Sequence, residues 1–176
     1  RIIDVALEIV DTRGFEALTM DNVASALGVR AASLYNHIPS KAVLIESLRD
    51  RIVAEMDTSM FEREPWDVAL EQFAHSYRAA FIRHPLTVAT MAMTPIGAPG
   101  TFAMYEAVAR ALVDGGWPPE RVVSIVVGLE YVILGSVFDF SAGGQMLDPR
   151  TAERFAAPVF ARCIGSLRDQ REGADE

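Results

Sequence analysis

The sequence predicts an all-α protein in two parts, a small three-helix module in residues 1–45 and a larger helical module in residues 46–168. Three observations lead there. Apolar residues recur at spacings of three and four along most of the chain, which is the period of an amphipathic helix. No run alternates apolar and polar residues as a half-buried strand would, and no segment repeats. Glycines and prolines cut the apolar pattern into helix-sized pieces.

Ile2 to Arg13 places Ile2, Val5, Ala6, Ile9 and Val10 on one stripe, and Gly14 stops it. Thr19 can accept a hydrogen bond from an amide in the first turn of a second, short helix, where Asp21 also complements the helix dipole. That helix carries Val23, Ala24 and Leu27 to Gly28, whose missing Cβ permits a left-handed exit. A third short helix is expected from about Ala31 to His37. Pro39 and Ser40 interrupt the chain again, with Ser40 suited to cap a long fourth helix from Lys41 that bears Val43, Leu44, Leu48, Ile52 and Met56. Glu64-Pro65 opens a fifth, with Val68, Phe73, Tyr77, Ala80 and Phe81, that ends at His84-Pro85. Leu86 to Met93 make a short sixth before the breaker run Pro95 to Gly100. Phe102 to Val113 form a seventh, closed by Gly115-Gly116. The eighth takes Pro118 and Pro119 in its first turn and continues to about Ser141, and Asp148-Pro149 starts a ninth through Leu167. Asp169, Glu172, Asp175 and Glu176 against Arg171 make residues 169–176 an expected disordered acidic tail.

With 176 residues and 51% hydrophobic content the chain can bury a substantial core. The most apolar stretch, Val122 to Phe140, is interrupted by Ser124, Glu130 and Asp139, which argues against a membrane span. A single cysteine, Cys163, excludes an intramolecular disulfide framework and, with only three histidines, a cysteine-rich zinc site; this fits a reducing cytoplasm. His75 and His84 are nine residues apart, not a helical ligand pair, so neither a metal nor another cofactor is expected. Because the chain opens at Arg1 rather than methionine, a leading segment is expected ahead of it.

A net charge of −8 excludes a nonspecific nucleic-acid coat, since phosphate affinity needs clustered Lys and Arg. A local basic face is still open. Residues 22–49 carry Arg30, Lys41 and Arg49 against Glu46, whereas residues 1–21 hold an acidic surplus.

Two short helices joined through Ala26-Leu27-Gly28-Val29 have the spacing of a helix-turn-helix, whose second helix enters a DNA groove, but also that of a plain helical hairpin. The wording is more specific. Thr19-Met20-Asp21-Asn22-Val23-Ala24, then Ala26-Leu27-Gly28-Val29, then Ser33-Leu34-Tyr35-Asn36-His37-Ile38-Pro39-Ser40-Lys41 with Leu44 closely resembles the N-terminal signature of TetR-family transcriptional repressors. The resemblance covers residues 1 to about 50; beyond it the chain is similar to the family only in being helical. It implies an N-terminal helix-turn-helix DNA-binding domain followed by a C-terminal ligand-binding and dimerisation domain.

It also implies that the third helix reads a major groove, about 12 Å wide, with Ser33, Tyr35, Asn36 and His37 as its base and backbone contacts. Asn36 can bond an adenine edge or a phosphate, Tyr35 offers its hydroxyl to phosphate, and His37 can use either ring nitrogen. The plain alternative is a buried Tyr35 with Asn36 or His37 merely capping. Arg30 could read guanine or hold a phosphate, or be an ordinary solvated arginine. Ala31 and Ala32 offer thymine-methyl contact or simply no obstruction. Lys41 opposes the dipole at the start of the fourth helix, which a phosphate partner would justify, and Thr19 can cap and present its helix end to phosphate at once. So few cations per chain make tight binding depend on two copies acting together, with reading helices about 34 Å apart.

The eighth helix is apolar on almost every side and must be covered all round. Ser124, Gly128 and Gly135 are small residues along it, and with Phe155, Val159 and Phe160 of the ninth helix they form the expected homodimer interface, which the resemblance also implies. A helix buried within its own chain is the alternative. Six of the seven methionines fall after residue 55, and they mix with aromatics at helical spacing, which is either core or the wall of a ligand cavity. The candidate lining residues are Met56, Met60, Phe73, Tyr77, Phe81, Met91, Phe102, Tyr105, Glu130 and Tyr131, with Gln72 and His75 as further polar candidates. Glu130, a carboxylate amid valines and leucines, must pair, shift its pKa or reach water; Arg110, Arg121 or a cationic ligand could answer it.

No phosphate loop, nucleophile elbow, metal motif or motif-placed carboxylate pair points to an enzyme. The expected function is a cytoplasmic, ligand-responsive regulator that binds double-stranded operator DNA as a homodimer, touches no membrane, and is released by a small, mostly apolar effector. The alternative is a helical small-molecule-binding protein without DNA-binding activity.

Overall fold

The structure, a computed structural model, describes the backbone of residues 1–142 and 149–173; the side chains of residues 139–142, 149–153 and 155 lie outside the description. Among the described residues the regular elements are α-helices and short 3-10 turns: α1 Ile2–Arg13, α2 Met20–Leu27, α3 Ala31–Tyr35, α4 Lys41–Val53, α5 Trp66–Ile82, α6 Val88–Met93, α7 Pro99–Asp114, α8 Pro119–Ala142 and α9 Pro149–Glu172.

The first module forms as its caps dictate. Thr19 Oγ1 accepts from the amide of Asn22 at 3.1 Å, and Ser40 Oγ from that of Val43 at 3.2 Å, so α2 and α4 begin where a free first-turn amide finds a side-chain oxygen. Gly28 ends α2 in the left-handed conformation at φ 70°, and the amide of Val29 returns to the carbonyl of Ala24 at 3.0 Å. This closes the turn that points α3 away from α2. The helix α3 stops at Tyr35, two residues short of the expected His37. Pro39 disfavours helical geometry at Ile38, so the chain leaves through a turn in which the amides of His37 and Ile38 both bond Leu34 O.

Packing joins the two modules through one continuous core that runs from Ala6 and Val10 on α1, through Leu44, Leu48 and Ile52 on α4, to Phe160 and Ile164 on α9. The helix α4 contacts α1 on one side and α5 and α7 on the other, so the division expected at residue 45 falls inside an unbroken helix. The helices α5, α7, α8 and α9 pack against one another around the larger part of the core.

Two further boundaries differ from expectation. α9 continues to Glu172, so Asp169 to Glu172 are helical rather than tail; residues 174–176 lie outside the described residues. α9 also passes through Pro158, whose ring removes one intrahelical bond, and Pro158 is exposed.

The α7–α8 corner explains the double glycine. Gly116 takes φ 85°, a left-handed conformation, and a Cβ on Gly115 would collide with the indole of Trp66, which stands edge-on to Trp117 at 5.7 Å. Because that indole is wedged rather than free to swing, Gly115→Ala should cost about 1–3 kcal/mol of stability in denaturant unfolding. An unchanged midpoint would show that the corner yields easily.

Candidate functional site

The short helix α3 is anchored by Leu34 and, just beyond it, Ile38, both buried, and this inward pair turns its polar edge to solvent. Arg30, Ala32, Ser33, Tyr35, Asn36 and His37 are exposed, with Tyr35 at 49%, and Ala31 is half-buried. Thr19 and Lys41 are exposed at the starts of α2 and α4. Eight of the nine candidate residues are thus exposed, and the ninth, Ala31, is half-buried. The basic surplus there is smaller than the sequence count suggests. Arg49 is buried and its Nε bonds Glu46 Oε1 at 3.2 Å, so it belongs to the interior; Arg30 and Lys41 supply the exposed charge.

A cavity of about 430 Å³ opens between α5, α6 and α8. Of the ten candidate lining residues, Tyr77, Phe81, Met91, Glu130 and Tyr131 line it. Phe73 and Tyr105 stand behind Glu130 around a void of only about 10 Å³. Met56 and Met60 are buried in the core and line neither of these spaces, because the end of α4 and the turn at Ser59–Glu62 pack directly on α5. Phe102 faces outward from α7 and is 54% exposed. Gln72 is also exposed, and the His75 ring packs edge-on against Phe160 at 5.3 Å.

Glu130 is answered by neither Arg110 nor Arg121. Arg110 pairs with Glu106 at 2.8 Å, and Arg121 reaches Gln170 at 3.4 Å. The hydroxyls of Tyr77 and Tyr105 instead both donate to Glu130 Oε1, each at 2.7 Å. Burial, and then the adjoining carboxylate, push both phenols well above the ordinary tyrosine pKa, so they remain donors.

Arg49 is the charged lining residue that sequence reasoning missed, beside apolar ones such as Val88, Ile96 and Leu134. It donates through one nitrogen to the carbonyls of Met91 at 3.0 Å and Thr94 at 3.1 Å, in the cavity's α6 wall. Its neighbours on α4 hold the next stretch of that wall. Glu46 Oε2 accepts from the amide of Gly97 at 2.6 Å, and Asp50 Oδ1 from that of Thr101 at 3.3 Å. The available signal was an arginine three and seven residues before Ile52 and Met56, on the apolar side of α4. At the other end of α4, Arg51 pairs with Asp4 of α1, and His84 Nδ1 lies 2.8 Å from Asp11 Oδ2.

The outer side of α8 is an apolar surface: Val123 is 70% and Tyr131 72% exposed, with Val127 between them. Ser124, Gly128 and Gly135 are exposed beside this stripe, and nothing lies within 4 Å of a Cβ added at either glycine. Ser124 and Gly128 border a groove shared with Cys163 and Ser166 of α9. Val159 is 47% exposed, but Phe160 is fully buried, a correction to its expected place at the interface: the ring turns inward onto His75. Phe155 lies outside the described residues. Pro119–Phe138 is apolar enough, by length and composition, to cross a membrane, contrary to the reading from its interruptions, yet it packs on α5, α7 and α9. Among the described residues, no group of three His, Cys, Asp or Glu side chains is placed to hold a metal ion.

Residues 2–48 match bacterial regulatory proteins of the tetR family, and residues 61–163 match the tetracyclin repressor-like C-terminal domain. The class E tetracycline repressor protein of Escherichia coli is 29% identical over 147 residues, 82% of this chain and 69% of that protein. The crystal structure of a TetR variant from Acinetobacter baumannii AYE in complex with minocycline superposes with a TM-score of 0.82 at 25% identity, over 97% of this chain and 96% of that one. BioQ with its double-stranded DNA operator matches in fold, with a TM-score of 0.69 at 22% identity over 94% and 96% of the two chains.

The Tyr77 and Tyr105 phenols are raised in the folded state, so below the unfolded tyrosine pKa of about 10 they carry no pH dependence, and above it the unfolded chain loses its protons first. Stability should therefore fall as pH rises beyond about 10, and a Tyr77→Phe, Tyr105→Phe double variant should lose less over that window. Equal alkaline losses in both proteins would remove these phenols as the cause.

Proposed function

This chain belongs to the tetR family of bacterial regulatory proteins, and from that premise we propose how it works as a ligand-responsive repressor of transcription. Two copies pair through α8 and α9, each presents α3 to successive major grooves of an operator, and a small, mostly apolar molecule entering the cavity releases the DNA. The observation that carries this reading is the exposed polar edge of α3, held out by Leu34 and Ile38 while the helix end at Tyr35 is free to enter a groove.

The residues take distinct roles. Ser33, Tyr35, Asn36 and His37 read bases and backbone, Arg30, Thr19 and Lys41 hold phosphates, and Ala31 and Ala32 leave room for close approach. In the larger module, Ser124, Gly128, Gly135 and Val159 admit the second copy. Tyr131 and Gly135 lie both on the cavity rim and on the exposed side of α8, so pairing also helps to close the cavity mouth. The effector contacts Tyr77, Phe81, Met91, Glu130 and Tyr131. Arg49, Glu46 and Asp50 make α4 the lever, because a ligand that displaces the α6 wall must shift the helix whose first residue follows the reading element. The protein acts in the cytoplasm and has no catalytic activity of its own.

Tyr35→Ala should weaken operator binding by at least about 1–3 kcal/mol per reading helix while leaving the dimer intact, as measured by gel shift and sedimentation. Unaltered affinity would refute the assignment of α3. Gly128→Glu should leave each protomer folded, since the position faces open space, but shift the sedimentation equilibrium toward monomer by setting like charges in the apolar seam. A dimer of undiminished strength would place the interface elsewhere.

A further inference from the structure

The cavity carries two charged side chains, and their situations differ. Arg49 is paired with Glu46 through Nε and donates through one terminal nitrogen to two carbonyls of the α6 wall. Glu130 receives only neutral donors. Tyr77 and Tyr105 both bond Oε1, and among the described residues no Arg, Lys or His forms an ion pair with the carboxylate, which lines the cavity. Around it stand Phe81, Leu134 and the rings of Tyr77 and Tyr131. A carboxylate in so apolar a wall is poorly compensated, and a charged N–H donor would correct this most directly.

We propose that the effector is an apolar organic monocation, a protonated amine carried on a largely hydrocarbon or aromatic body, whose N–H binds the Glu130 carboxylate. This rests on the reading of the cavity as the effector site and adds the chemical class. The aromatic rings beside Glu130 attract positive charge at their faces, the cavity volume lies in the range that holds a drug-sized ligand, and an anion would meet the uncompensated carboxylate. Tyr77 and Tyr105 are positioning residues here: they aim the carboxylate without reaching past it.

Three tricyclic probes of nearly one shape test the charge alone: 9-aminoacridine, cationic at neutral pH, acridine, neutral, and acridine-9-carboxylate, anionic. Calorimetric titration of the full chain without DNA should give the cation an affinity at least about tenfold above that of acridine, with the anion weakest. Glu130→Gln keeps an acceptor for both tyrosine hydroxyls, so the fold should melt unchanged, while the advantage of the cation over acridine disappears. Equal binding of all three probes, preference for the anion, no binding of the cation, or a cation affinity indifferent to Glu130→Gln would each overturn the proposal. Operator gel shifts run in parallel separate the two readings. If the protein binds its operator and the probes fail as described, the regulator reading stands and the cation class falls; if the operator is not bound at all, it is the regulator reading that fails.

Discussion

A helix that is apolar around most of its circumference must be covered on every side, and α8 imposes that demand on the whole molecule. α5, α7 and α9 cover one half, burying Val122, Ile125, Leu129, Ile133 and Val137. The other half stays open in a single protomer, with Val123, Val127 and Tyr131 on the surface and glycines beside them. The same helix also sets Glu130 against the hydroxyls of α5 and α7. Core, cavity and exposed apolar surface therefore share one element. A change at any of the three is felt by the others, because an α-helix transmits a shift along its axis rather than absorbing it.

The second organising feature is α4, which belongs to both modules at once. Its first turn is capped by Ser40, four residues after the end of α3 passes through Asn36, and its middle is tied to the α6 wall by Arg49. A buried guanidinium with three acceptors is costly to detach, since each freed carbonyl or carboxylate would lose its donor in a site with little water. Near its end Arg51 and Glu55 join the chain's first helix and the segment after α5 through Asp4, Arg83 and His84. Under the proposed function, a helix with contacts at both ends is the element through which ligand and DNA equilibria would be linked, as reciprocal coupling requires.

The parts of the candidate site that could be read from sequence differ in kind from those that could not. Local chemistry was legible: Thr19 and Ser40 cap the helices they were expected to cap, and Gly28 turns left-handed. Contacts between distant segments were not. Met56, Met60 and Phe102 share composition and spacing with Phe81 and Met91, yet only the latter two face the cavity. Phe160 and Val159 are adjacent on α9, and a rotation of one residue separates a buried ring from an exposed side chain.

From the sequence alone came the all-helical class and the order and approximate ends of the helices, because capping, turn chemistry and apolar period act within a few residues and need no partner; the outward edge of α3 was what the family resemblance implied. The tertiary structure alone decided that Glu130 is met by two tyrosines, that Arg49 turns inward to hold the α6 wall, and that α9 continues through Glu172. Those outcomes depend on segments 25 to 53 residues apart arriving at one place, a matter of how helices pack rather than of any single residue's preference.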